Sequence, residues 1–253
     1  MTPGVIDWII AGICGLLIGI AKTGLPGLGV LVVPLMASII PAKASTGAVL
    51  PMLIFADVFA VAFYRRHAVW SHVIKLMPWA LAGIVIGAYF MNKVNDDQLK
   101  PIIGAIVLLM LCASYIRQTI TDHNTPIPSE WYFAAVLGLT AGITTMMANA
   151  AGPIMIIYLL AMRLPKNEFI GTGAWYFLIL NCIKVPFSIH LGLITADSAK
   201  FNLMLAPMIV AGALFGIYLL TKIPQRAFNI TVQILAAAAA LNLIFPAVKA
   251  LFA

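Results

Sequence analysis

The chain has 253 residues, 63% hydrophobic and only 9% charged, with a formal net charge of +7 and a mean hydropathy of +1.06. A soluble domain carries about 25% charged residues, so this composition excludes one and demands a polytopic membrane protein. About eight apolar stretches of ~20 residues fill the chain and leave no room for a soluble domain. The bases fall in short connections between spans, where they orient a membrane protein; the expected partner is the lipid bilayer, and no nucleic acid.

The N-terminal stretch up to Asp7 lacks a basic region, and no small-x-small cleavage site follows before Lys22, so the first helix is expected to be retained. From Gly15 to Pro34 an apolar helix carrying Gly15 and Gly19 runs into a polar break at Lys22, Thr23 and Gly24, and a second apolar helix begins near Gly27. A short turn at Pro41 to Lys43 leads to a span over 44–64, which ends at Arg65, Arg66 and His67. The next span, 72–91, contains Pro78, Gly83 and Gly87; a polar turn over 92–100 precedes a span over 102–116. The longest connector, from Arg117 to Glu130, is polar, holds two prolines and marks the midpoint. The domain reading is therefore an N-terminal repeat over 1–117, a linker over 118–130 and a C-terminal repeat over 131–253.

The second half repeats the first. Gly138 and Gly142 answer Gly15 and Gly19, and a second break runs from Asn149 to Gly152. Lys166 answers Lys43, Thr172 answers Thr46, Pro207 with Gly212 and Gly216 answers Pro78 with Gly83 and Gly87, and Lys222 answers Lys93. The offset drifts only from 123 to 129 across this colinear series, as a duplication with short loop indels predicts. Residues 5–40 would make roughly 54 Å of continuous helix, too long for one span. Each broken segment is thus either a re-entrant hairpin or two short crossings; with three further spans, both give an odd number of passes and inverted halves. Reading each broken segment as one tilted span gives parallel halves instead, and loop charges, about 7 against 5 Lys and Arg, do not separate the two. The expected fold class is an all-α polytopic membrane protein of two homologous, inverted halves.

Ionisable groups inside a span cost about 2.5–3.5 kcal/mol on insertion scales, so each is a site candidate. Lys22 sits at the first break, and Lys184 lies deep in the span after the second, with Asn181 one turn earlier on the same face. Asp57, in the corresponding span of the first half, fits either a proton site or a charge partner of Arg65 or Lys184. Lys75 snorkels from the first turn of its span. The two breaks also start half-helices whose free amides and positive dipole ends favour anions. The candidate anion site is therefore Lys22, Thr23, Gly24 and Gly27 from the first break, Asn149, Ala150 and Gly152 from the second, and Asn181 and Lys184; Trp175 is deep enough to line a cavity. Interrupted helices in matching positions of two halves point to a transporter's binding site.

Other signals point elsewhere. Cys14, Cys112 and Cys182 sit inside apolar runs and read as packing residues, not a disulfide framework. The histidines lack metal-ligand spacing, and the glycines from Gly24 to Gly29 follow no strand, which removes a nucleotide loop. No catalytic constellation marks an intramembrane enzyme, and no cofactor or metal is expected.

Four stretches carry a family resemblance. They are Gly19, Gly24, Gly27 and Gly29 followed by Pro34 and Leu35; Asp57 with Tyr64, Arg65, Arg66, Val69 and Trp70; Asn149 to Pro153; and Asn181 with Cys182, Lys184 and Pro186. In this order and spacing the chain resembles the sulfite exporter TauE/SafE family, also called the toluene-sulfonate uptake permease (TSUP) family. The resemblance implies a multi-pass carrier of the cell inner membrane for sulfur-containing anions such as sulfite, sulfoacetate or other organosulfonates, often exporting them. Alternating access about a midplane site, with proton coupling through Asp57, is the mechanism inferred; a channel for anions or small solutes is the alternative. The anion itself, the coupling ion and whether the chain forms a homo-oligomer stay open at this level.

Overall fold

The computed structural model describes residues 4–40, 42–91, 93, 95, 131–224, 226–228, 230, 231, 234, 238 and 245. The expected span over 102–116, Cys112, the linker over 118–130 and nearly all of 229–253 lie outside them. In chain order the described helices are α1 (Val5–Thr23), a 3-10 segment (Pro26–Leu31), α2 (Val32–Ile39), α3 (Ala42–Tyr64), a short 3-10 turn (Arg65–His67) and α4 (Trp70–Met91). The second half supplies α5 (Trp131–Ala148), α6 (Gly152–Ala161), α7 (Lys166–His190) and α8 (Ala196–Lys222). No strand occurs among the described residues. Among the described residues five helices are long and apolar enough to cross a membrane, namely α1, α3, α4, α7 and most of α8, so the chain is a multi-pass membrane protein. Large apolar side chains face outward along them, Leu203, Leu214 and Phe215 among others, as a lipid-facing surface requires.

The two breaks fall where glycine, proline and polar residues interrupt the apolar pattern. α1 stops as the amides of Gly24 and Leu25 both turn back to the Ile20 carbonyl (2.8 and 3.0 Å), and Pro26 then opens the 3-10 segment. α5 stops at Asn149, which adopts a left-handed φ of 52°. Asparagine is one of the few residues with a side chain that tolerates this conformation at a helix end. α2 and α6, of 8 and 10 residues, are half-length helices.

Helix association in lipid rests on close backbone packing at small residues, and the glycines show where it happens. Gly15 meets Met208, Gly19 meets Ile209, Gly212 and Ala213, and Gly24 meets Gly216, so α1 and α8 run parallel in backbone contact. Gly138 meets Leu76 and Trp79, Gly142 meets Ala80 and Gly83, and Gly87 meets Ile143 and Met146, so α4 and α5 do the same. α3 and α7 run antiparallel: Gly47, near the start of α3, lies against Leu193 beyond α7, while Gly171, near the start of α7, lies against Tyr64 and His67 at the end of α3. Backbone amide Val69 N–H donates to Thr172 Oγ1 at that same end (2.9 Å). Lys166 ties the start of α7 to the end of α8 by donating to the carbonyls of Leu220 (2.9 Å) and Ile223 (2.8 Å).

Candidate functional site

The antiparallel α3/α7 pair brings Asp57 and Asn181 together near its midpoint, where the Asn181 side-chain amide donates to Asp57 Oδ2 at 2.7 Å. The end of α1 approaches the same point. Lys22 Nζ lies 2.8 Å from Asp57 Oδ1, and its ammonium also sits 4.1 Å from the centre of the Phe177 ring, a cation–π contact. Asp57 is fully buried, whereas the Lys22 side chain keeps 13% exposure.

Lys184, one turn beyond Asn181, is 1% exposed and donates to three oxygens: Asn149 Oδ1 (2.6 Å), Thr145 Oγ1 (3.0 Å) and Asn181 Oδ1 (3.3 Å). All three acceptors are neutral. Asn149 completes the junction by donating its amide to the Thr46 carbonyl at 2.9 Å, so the second break is tied to both α3 and α7. One polar chain thus runs Lys22–Asp57–Asn181–Lys184–Asn149–Thr46 through the interior. Because Asn181 gives its N–H₂ to a carboxylate and its carbonyl to an ammonium, its amide orientation is determined by chemistry.

A cavity of about 70 Å³ opens beside this chain, room for a small anion or several waters. Its polar lining comes from Lys22, Thr145, Asn149, Gly152 and Asn181; Pro26 and Gly29 of the first break, Leu53, Met155, Leu159 and Phe177 supply much of the apolar wall. Gly152 opens α6 at the cavity with an amide that has no partner one turn back.

Among the residues expected at an anion site, Lys22, Asn149, Gly152 and Asn181 line the cavity, and Lys184 stands directly behind Thr145, Asn149 and Asn181. Gly27 lies in the 3-10 segment between the two lining residues Pro26 and Gly29. Others turn away. Thr23 spends its hydroxyl on the Gly19 and Ala213 carbonyls (3.0 and 2.7 Å), and Gly24 packs against Gly216. Ala150 is fully buried off the lining, and Trp175 packs at a tilt against Trp70 with ring centres 5.1 Å apart. Arg65 is exposed in the 3-10 turn, so the ion-pair partner of Asp57 is Lys22, contributed by α1, and not Arg65 or Lys184. The α3 register explains this: Arg65 lies two turns beyond Asp57, past the helix end.

Two participants escaped the sequence reading, Thr145 and Phe177. Both had a signal. Thr145 lies one turn before Asn149, and Phe177, Asn181 and Lys184 recur at i, i+4 and i+7 on one face of α7. Tyr64 also joins: its hydroxyl donates to the Thr23 carbonyl at 3.1 Å, holding the end of α3 against the first break.

The family described as Sulfite exporter TauE/SafE matches residues 11–243. Neither a curated protein nor a solved structure matches the chain.

Proposed function

The chain belongs to the sulfite exporter TauE/SafE family, and on that premise we propose that it is a secondary transporter exporting small sulfur-containing anions, such as sulfite, sulfoacetate or another organosulfonate, across the cell inner membrane. The observation that carries this reading is the cavity at the two helix breaks. It presents the Lys22 ammonium from one half and the Gly152 amide at the start of α6 from the other, inside walls that are mostly apolar. Such a site holds one small anion away from bulk water, where each charge-assisted contact is strong.

Alternating access about this site is the mechanism the arrangement favours. The two halves are read as inverted repeats. In support, α3 and its counterpart α7 are antiparallel, and α1 packs parallel to α8 as α5 does to α4. Each half then contributes one broken helix to the site and one glycine-faced helix to the other half, so the halves can rock about the α3/α7 pair. A channel is the alternative, and flux separates the two: a carrier saturates and shows counterflow, a channel does neither.

The test is sulfite and sulfoacetate counterflow in liposomes containing the purified protein. Saturable counterflow is expected, reduced at least tenfold in the doubly substituted Lys22→Gln, Asp57→Asn protein, which removes the ammonium without stranding a lone buried carboxylate. Flux that does not saturate points to the channel. Equal counterflow with and without Lys22 removes the anion site.

A further inference from the structure

We propose that Asp57 is a specificity-determining residue that sets the valence of the transported anion, so that the site accepts singly charged anions and rejects doubly charged ones. This rests on the transport reading above.

Among the described residues, the charged groups at the site are few. α1 contributes Lys22, α3 contributes Asp57 and α7 contributes Lys184; the Cys182 thiol is the other titratable group that senses Asp57. Every remaining polar contact is neutral: Thr145, Asn149 and Asn181. α2, α5 and α6 carry no charged residue, and α8 carries charges only near its ends, at Asp197, Lys200 and Lys222. Lys22 and Asp57 cancel. Lys184 Nζ donates to three oxygens, one for each N–H of an ammonium, and all three are neutral, so among the described groups one positive charge is left over.

Asp57 is a fixed member of this set. Its two carboxylate oxygens are held by Lys22 at 2.8 Å and by Asn181 at 2.7 Å, and it has no exposure to the cavity. The carboxylate therefore does not leave to make way for a ligand. An arriving anion adds to the set, meeting the part of the Lys22 ammonium not already turned to Asp57 or the Phe177 ring. A low-dielectric interior penalises any net charge. One negative charge brings the site to neutrality, while two leave it as charged as before with the sign reversed. Sulfite is accordingly carried in its singly protonated form, and a sulfonate as it stands.

The probes are methanesulfonate, a fixed monoanion, and sulfate, a dianion of similar size, in liposomes containing the full chain. The unaltered protein should carry methanesulfonate at least about tenfold faster than sulfate. Its methanesulfonate uptake should accelerate under an inside-positive diffusion potential, because one net negative charge moves. Asp57→Asn raises the resting charge by one and should shift the preference at least about tenfold toward sulfate. Sulfate carried as well as methanesulfonate by the unaltered protein, or methanesulfonate uptake indifferent to potential, overturns the proposal even if Asp57→Asn does not fold. Absence of flux for every sulfur anion, sulfite and sulfoacetate included, is a different failure: it removes the transport reading on which the proposal stands.

Discussion

The glycine contact between α1 and α8 yields a prediction whose size follows from the geometry. A Cβ placed on Gly19 would press on the Ile209 carbonyl oxygen and lie 2.5 Å from the Ala213 nitrogen and 2.7 Å from the Gly212 carbonyl carbon. These are backbone atoms of a helix and have no rotamer by which to yield. Gly19→Ala must therefore push α1 and α8 apart by on the order of 1 Å, with an overpacking cost of about 1–3 kcal/mol. One turn later, Thr23 Oγ1 donates to the Ala213 carbonyl at 2.7 Å, and the separation stretches this bond at a further cost of about 1 kcal/mol. Gly12 is the internal control. Its Cβ would find only the Met208 Cγ at 3.9 Å, an ordinary contact, so Gly12→Ala should be neutral or gain up to about 1 kcal/mol of helix propensity. Thermal unfolding in detergent, followed by tryptophan fluorescence, should show Gly19→Ala melting roughly 5–15 °C below the unaltered protein. Gly12→Ala should melt at or above it. Indistinguishable melting of the two variants would refute backbone contact between α1 and α8.

Two further substitutions probe the joints of the site by the same melting assay. Asn149→Gly keeps the left-handed turn but gives up the bonds to Lys184 and Thr46, so a loss of about 2 kcal/mol is expected; Asn149→Ala adds the strain of φ 52° and should lose about 1 kcal/mol more. Tyr64→Phe removes the bond to the Thr23 carbonyl and should lower stability by about 1 kcal/mol, and a zero change would detach the end of α3 from the first break.

Much of this architecture was readable because polar and small residues stand out in an apolar chain. The breaks at Lys22 to Gly24 and at Asn149 to Gly152, and the glycine pairs at 83/87, 138/142 and 212/216, lie where their spacing placed them. Lys184 and Asn181 share one face, as their three-residue separation requires. What sequence did not reveal was pairing between elements. The partner of Asp57 depends on how α1 meets the antiparallel α3/α7 pair, and helical spacing within α3 carries no information about that. Thr23, Gly24 and Trp175 were assigned by neighbourhood along the chain, but the phase of a helix at its last turn decides which of two adjacent residues faces a cavity. Lys22 faces it, and Thr23 beside it bonds to α8. Thr145 and Phe177 are ordinary residues of an apolar helix, and only the lysine each one meets gives it a role.

The origin of the leftover positive charge leads to the most direct test of it. Residue 22 matches residue 145 at the offset of 123 shared by the glycines of α1 and α5, and residue 57 matches residue 184 at 127, within the drift between the halves. The contact within each half matches as well: Lys22 meets Asp57 at 2.8 Å in the first, and Lys184 meets Thr145 at 3.0 Å in the second. The first half places its cation on the broken helix and answers it with a carboxylate. The second places its cation on the span and answers it with a hydroxyl. Had both answers been carboxylates, the site would carry no net charge and give an anion no reason to enter. Thr145→Asp imposes that condition, setting a carboxylate where the hydroxyl now accepts from Lys184. A buried ammonium that gains a charged partner should hold or raise the melting temperature, because part of the cost of burying it is offset. The extra melting temperature that sulfite or methanesulfonate confers by mass action should vanish. Retention of that ligand shift in a stably folded Thr145→Asp protein would mean that the uncompensated charge of Lys184 is not what draws the anion in.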